Sequence, residues 1–237
     1  MKKILLIISL AVFSFTANAQ SLIPTKFGLK AGLNYSSLSI TPIEGVHPTV
    51  NSSKIGVAAG FCVHIALSDK WFINPEVLYS QKGASFDYDF THDYAINQRD
   101  EYATNNELTL SYVQLNPTIS FKASDKLALN FGPSVAYLIS EEYKYTQDPA
   151  QDITSTTITN GNLLTPGLVE TNGLDVGLNV GLSYFLTENF FIDTRVNTGF
   201  MEVATATQPY EAIIPIIPSA TYSMKSRTIV FSLAYLF

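Results

Sequence analysis

Side chains able to do chemistry are few in this chain and lie far apart. There are three histidines, His47, His64 and His92, and a single cysteine, Cys62. Hydrolytic or acyl-transfer chemistry needs a nucleophile beside a base, and no nucleophile motif accompanies any of the histidines. The densest titratable group is Asp87, Asp89, His92, Asp93, Asp100 and Glu101. Carboxylates in that density suit a hard divalent cation, and they imitate the rim of an outer-membrane hydrolase. A solvated loop tip has the same composition. A second constellation is sparser. Glu76 and Arg195 follow two short polar turns, at Asp69-Lys70 and Glu188-Asn189, at comparable distances. Asp193, Lys30 and His64 share their strand parity. Their types fit a buried ion network, in which each charge needs a partner to offset its desolvation. The bland alternative is that each charge is solvated separately.

Such a network needs walls, and the sequence supplies strands. Phe27, Leu29, Ala31, Leu33 and Tyr35 alternate with Gly28, Lys30, Gly32, Asn34 and Ser36. Ile55, Val57, Ala59, Phe61, Val63, Ile65 and Leu67 alternate with Gly56, Ala58, Gly60, Cys62, His64 and Ala66. A period of two with one large apolar face and one small or polar face marks a strand between two different environments. Six further segments obey the pattern, beginning near Trp71, Glu107, Lys126, Asn172, Phe190 and Met224. Eight strands are therefore expected. The small and polar parity comprises Lys30, Lys54, His64, Asn74, Glu76, Asn130, Asn179, Asp193, Arg195 and Asn197. The third and seventh strands fall on opposite walls of an eight-stranded barrel, so Glu76 and Arg195 are expected to meet across its axis, with Asp193 or Lys30 joining them.

The connections alternate in length. Three are tight and similar, at Ser68-Asp69-Lys70, Ser124-Asp125-Lys126 and Thr187-Glu188-Asn189. The other four are expected as long loops, at 39–53, 88–106, 144–171 and 204–223. In the third, threonine alternation hints at a hairpin continuing above the membrane. The fourth contains the apolar run Ile213-Ile214-Pro215-Ile216-Ile217, which folds over the barrel mouth or forms a contact patch. Short turns at one end and long loops at the other are the layout of a transmembrane β-barrel, with turns in the periplasm and loops outside. Trp71, Phe72, Phe190 and Phe191 next to the turns, and Tyr79, Tyr137 and Phe200 farther away, suit two interfacial girdles.

Composition agrees. Charged residues make up 14% of the 237-residue chain and apolar residues 46%, whereas soluble domains carry roughly 25% charged residues. Residues 1–19 read as a signal peptide: Lys2-Lys3, an apolar run from Ile4 to Phe15, then Ala17-Asn18-Ala19. Residues 20–237 read as one barrel domain. Removing the leader leaves 218 residues with 12 basic and 20 acidic side chains, a net charge of about −8, which speaks against nucleic acid as a partner. With one cysteine, no internal disulfide is available. No cofactor is expected. The expected partners are outer-membrane lipid, the barrel assembly machinery through a final strand ending at Phe237, and a protein at the outer loops. A soluble lipocalin-type barrel is the non-membrane alternative.

The stretch FINPEVLYSQKG, from Phe72 to Gly83, resembles the F-x-P-E-L-x-Y-S-x-x-G segment of the Bacteroidetes outer-membrane β-barrel family that includes PorT-like proteins. KFGLKAGLNYSSL, YVQLNPTISF, LNFGPSVAYLIS and DVGLNVGLSYFL extend the resemblance over nearly the whole mature chain. The resemblance implies an antiparallel barrel in an outer membrane and, through PorT, an association with protein secretion as the alternative function; it marks the barrel and not a task. From the residues, the leading expectation is a non-enzymatic eight-stranded barrel that presents four outer loops for envelope stabilisation or partner or ligand binding, with a rim-active enzyme as the third.

Overall fold

A computed structural model describes residues 25–41, 50–95, 98–148, 154–159, 169–208 and 220–237. They form one antiparallel sheet closed on itself. Its strands are β1 (Thr25–Thr41), β2 (Val50–Ala66), β3 (Trp71–Ala95), β4 (Gln98–Lys122), β5 (Leu127–Asp148), β8 (Leu174–Phe185), β9 (Phe190–Gln208) and β10 (Ala220–Leu236). Two short strands, β6 (Thr154–Thr159) and β7 (Val169–Thr171), pair with β5 and β9 above this wall. Neighbours in sequence are neighbours in space, and β10 pairs with both β9 and β1, which leaves the barrel without an open edge. The expected eight-stranded antiparallel barrel with short periplasmic turns is the observed one.

The three tight turns share one construction. In each, the first turn residue offers its hydroxyl to the backbone N–H three residues on: Trp71 N donates to Ser68 Oγ at 3.2 Å, Leu127 N to Ser124 Oγ at 3.2 Å and Phe190 N to Thr187 Oγ1 at 3.0 Å. A short Ser/Thr side chain competes well for a local backbone donor, which is why it punctuates strands.

The outer connections differ from the expectation. The segment 88–106, expected as a loop, is a continuation of the β3–β4 hairpin, paired from Tyr88↔Thr104 to Asp93↔Arg99. Its aromatic and β-branched residues favour a paired strand, and its charges masked that signal. As the threonine alternation suggested, β5 runs on to Asp148 and pairs with the threonine-rich β6; β1 and β2 extend to Thr41 and from Val50, and β9 and β10 reach Gln208 and start from Ala220. The expected signal peptide at 1–19, His47 and the isoleucine-rich run at 213–217 lie outside the described residues.

Three prolines form one row on the outer surface. Pro75 and Pro117 are register partners, and the β4–β5 ladder is interrupted between Leu115↔Val135 and Ile119↔Phe131, where Pro117 and Pro133 would face each other. The β2–β3 ladder skips the position opposite Pro75 in the same way, passing from Cys62↔Glu76 to Ile65↔Ile73. Proline has no N–H to give, and the gaps fall where that donor would be required.

Leu33, Val57, Phe61, Leu115, Phe131, Val180, Val196 and Phe231 stand exposed on the outside, the apolar band that lipid covers. The inside is filled in three storeys. At the periplasmic end Cys62, Phe191, Ala234 and Leu236 pack with Phe185 into an apolar floor. At the outer end Leu38, Leu108, Leu110, Val203 and Met224 form an apolar plug with Tyr112 and Tyr143. Between them lie the buried charges.

Candidate functional site: the ion network of the lumen

Glu76 on β3 and Arg195 on β9 face each other across the barrel axis in a two-pronged pair. Arg195 Nη1 donates to Glu76 Oε2 at 2.8 Å and Nη2 to Oε1 at 3.0 Å. Arg195 Nε donates to Asp193 Oδ1 at 2.7 Å, two residues along the same strand. Lys30 on β1 closes the group, with Nζ 2.8 Å from Glu76 Oε1 and 2.9 Å from Asp193 Oδ1. All four side chains are at most 4% exposed. Planar guanidinium against carboxylate is the geometry in which buried charge is best compensated. The second oxygen of each acid is also occupied. Asn116 Nδ2 donates to Glu76 Oε2 at 3.3 Å, and Asn130 Nδ2 and Ser183 Oγ donate to Asp193 Oδ2 at 3.0 and 2.9 Å.

Two glycines make room for the long cations. Gly181 is the register partner of Arg195, and a Cβ there would lie 2.4 Å from Thr194 O and 2.5 Å from Arg195 Cβ. Gly60 pairs with Lys30, and its Cβ would meet Val77 O at 2.1 Å. In a barrel of eight strands the interior holds side chains and little else, so a guanidinium near the axis requires neighbours without side chains.

His64 stands apart from the four. Its ring is 4.5 Å from that of Phe72, and its Nδ1 is 2.8 Å from Asn74 Oδ1. It belongs to the apolar floor, because its position near the end of β2 places it below the level of Glu76. The hydrogen-bonded chain nevertheless continues from it. Asn74 Nδ2 donates to Ser120 Oγ at 2.5 Å, Ser120 Oγ to Asn130 Oδ1 at 2.6 Å, and Asn130 reaches Asp193. Phe72 and Phe191, expected in the lipid-facing girdle, turn inward with this floor. They alternate with Trp71, Ile73, Phe190 and Ile192, and only one parity can face lipid.

A second buried pair was not singled out from the sequence. Lys82 Nζ donates to Asp175 Oδ2 and Asn197 Oδ1, both at 3.0 Å, and lies 5.4 Å from the centre of the Tyr112 ring. Ser226 Oγ donates to the same Asp175 oxygen at 2.7 Å. Amides join this pair to the first group. Asn197 Nδ2 donates to Asn179 Oδ1 at 3.0 Å, Asn179 Nδ2 to Asn116 Oδ1 at 3.0 Å, and Asn116 reaches Glu76. The signal was present, since Lys82 has the parity of Glu76 and Asp175 lies opposite the apolar positions of its strand.

Lys54, expected in the lumen, lies on the outer face. Its backbone keeps the register partner Ser36, but the β2–β3 register shifts between Ser53 and Ala58, and that irregularity frees the long side chain to reach groups on β4. Lys54 Nζ donates to Glu107 Oε1 and Thr109 Oγ1 on β4, and Lys144 on β5 lies 3.4 Å from Glu142 and 3.8 Å from Glu107. Glu107 and Glu142 alternate with the buried Leu108 and Tyr143, which places the two acids outside. The hydrogen bond from Lys54, opposed by partial burial, holds the Glu107 carboxyl below the usual carboxylate range.

The lumen charges cancel: Lys30, Arg195 and Lys82 against Glu76, Asp193 and Asp175. Every carboxylate of the central four accepts from several donors, which leaves no free base. Among the described residues no group of three or more His, Cys, Asp or Glu side chains could hold a metal. The side chains of Asp87, Asp89, His92, Asp93, Asp100 and Glu101 are not described, and the cation reading for them falls outside what the structure describes. The arrangement can hold eight strands in one register and close the bore.

A closed eight-stranded antiparallel barrel with an apolar exterior, short turns at one end and an ion-filled lumen defines an outer-membrane barrel protein. Residues 18–204 match the family model of the outer membrane protein beta-barrel domain, and the chain belongs to that family. Solved structures of similar architecture include Ail, the attachment invasion locus protein of Yersinia pestis (9% identity, 90% of this chain and 98% of that one, TM-score 0.42). Neisserial surface protein A is similar at 10% identity (90% and 99%, TM-score 0.38), and the outer membrane protease OmpT of Escherichia coli at 8% (92% and 99%, TM-score 0.37). No curated protein sequence matches the chain.

Proposed function

We propose that this protein is a non-enzymatic barrel of the outer membrane, closed to solute flow, which serves the envelope through its outer surface by stabilising it and by binding a partner or ligand there. The observation that carries the reading is the filled lumen: an apolar floor, six buried charges in mutual contact and an apolar plug, stacked along one bore. Solute passage would require parting the Glu76–Arg195 pair and displacing the plug together. With the interior engaged, the surface left for recognition is the outer end, where β3, β4, β5 and β6 continue past the wall as a small sheet. Planar-bilayer recording tests the closed state. Purified wild-type protein is expected to give no steady conductance, and a stable open level would overturn the reading.

The resemblance of Phe72–Gly83 to PorT-like proteins supports a finer assignment, a component associated with protein secretion. Crosslinking in intact cells through residues of the β3–β4 extension, followed by identification of the captured proteins, separates the two. Secretion components would support the finer assignment, and capture of envelope structural proteins would support the broader one.

A further inference from the structure

The outer wall carries a hollow close to the periplasmic turns. It spans β3, β4, β5 and β8, has a volume of about 520 Å³ and is lined by Trp71, Ile119, Phe121, Phe131, Val180 and Leu182. That volume lies within the roughly 300–1,000 Å³ of small-molecule sites. Its lining is almost wholly apolar. The Trp71 and Phe121 rings, 4.9 Å apart, form its periplasmic margin. Directly below them sit Lys70 and Lys122, whose turns are joined by a hydrogen bond from Lys122 N to Lys70 O at 2.8 Å. Lys126 immediately precedes β5 in the next turn.

Asp69 and Asp125 lie in exposed turns, and Lys70 and Lys126 are the next residues of those turns toward Trp71 and Leu127. Lys122 has a partner, Asp125, at 3.3 Å, whose side chain is fully exposed. At the third short turn the cation is engaged by the protein, for Lys26 Nζ donates to Asn189 Oδ1 at 2.8 Å and Glu188 O at 3.4 Å. Among the described residues, Lys70 and Lys126 hold no side-chain bond. Long lysine stems at a membrane boundary reach toward headgroups and keep the ammonium in the polar layer.

We propose that this hollow and its lysines form a binding site for an anionic glycerophospholipid of the inner leaflet, one acyl chain lying along Ile119, Phe131 and Val180 and the phosphate held by Lys70 and Lys126 with Lys122 beside them. The apolar lining accounts for the chain, and the free ammonium groups at the mouth select the charge. Each lysine close to anionic lipid contributes a modest attraction, so the site discriminates by headgroup and not by chain alone.

Trp71 is the only tryptophan of the protein, which makes it a reporter at the site. The full protein is reconstituted into phosphatidylcholine vesicles containing increasing fractions of brominated phosphatidylglycerol or, separately, brominated phosphatidylcholine, and quenching of Trp71 is followed. Half-maximal quenching is expected at a roughly tenfold lower mole fraction of the phosphatidylglycerol. The double variant Lys70→Gln/Lys126→Gln should lose that preference, Lys70→Arg/Lys126→Arg should keep it, and Val180→Phe should weaken quenching by phosphatidylglycerol by narrowing the hollow. Heat-modifiable gel mobility verifies that each variant is folded. Equal quenching by both lipids in the wild type, or an unchanged preference in Lys70→Gln/Lys126→Gln, would overturn the site.

Discussion

Two ion clusters built from the same residue types occupy this barrel, and they differ in what water can reach. In the lumen, Lys30, Glu76, Asp193 and Arg195 are almost wholly buried. Toward the outer end, beyond the last exposed apolar positions Val113 and Ile139, Lys54, Glu107, Lys144 and Glu142 keep 18–47% of their side chains exposed. Inside, Coulomb attraction is strong and so is desolvation, and the group is stable only while all its members are present. Outside, water and salt screen each pair, and a member can leave with little consequence. The lumen cluster therefore acts as a lock between β1, β3 and β9, whereas the outer ladder merely decorates the ends of β2, β4 and β5.

Breaking the lock should give the largest effect. Glu76→Gln leaves Arg195 and Lys30 with Asp193 as their only buried anion, and a loss of about 3–5 kcal/mol is expected for an uncompensated buried charge. Urea unfolding in detergent, followed by gel mobility, reads it. A midpoint equal to wild type would mean that water reaches the network. Replacing both sides, Glu76→Leu with Arg195→Met, should recover most of that loss, since Lys30 and Asp193 remain paired. A double variant as unstable as the sum of the singles would show that the two do not act as a unit.

The apolar plug comes next. Leu110→Ala removes a fully buried side chain and should cost about 2–5 kcal/mol through lost burial and the cavity left behind. Lys82→Met should follow at about 1–3 kcal/mol, since it strands Asp175 with Ser226 as its remaining donor. A Lys82→Met loss equal to that of Glu76→Gln would place the lock around Asp175 and not at the centre of the barrel.

The sequence was most legible where two environments alternate along a strand. Leu33 and Asn34, or Val196 and Asn197, differ so strongly that parity alone assigns lipid and lumen, and parity plus strand count placed Glu76 opposite Arg195. Legibility failed where the register slips. The irregularity between Ser53 and Ala58 freed Lys54 to reach β4, and such a shift leaves no mark on hydropathy. It failed again toward the outer end, where Leu108 and Leu110 face an apolar interior and not lipid, so that inside and outside no longer differ in polarity. The continuation of the β3–β4 hairpin was read as a loop because Tyr88–Arg99 mixes strand-forming aromatics with charge, whereas the threonine alternation of β6 was legible. His64 was assigned by parity alone, and parity carries no information on depth.

The smallest expected effect sharpens the contrast most, because its size changes with conditions that leave the lumen untouched. Lys54→Gln removes the hydrogen bond that depresses the Glu107 carboxyl. A carboxylate held below its ordinary value of 4.5 stabilises the fold at pH above that value, and the contribution disappears as pH falls through the depressed one. At pH 7 and low salt the variant should be less stable than wild type by no more than about 1 kcal/mol. The difference should shrink both in high salt and well below pH 4.5, where Glu107 is protonated in either protein. The Glu76→Gln deficit, shielded from salt by the plug and the floor, should persist at high ionic strength. If salt erased both deficits equally, the lumen pair would be as accessible to ions as the outer ladder, and the distinction between lock and decoration would fall.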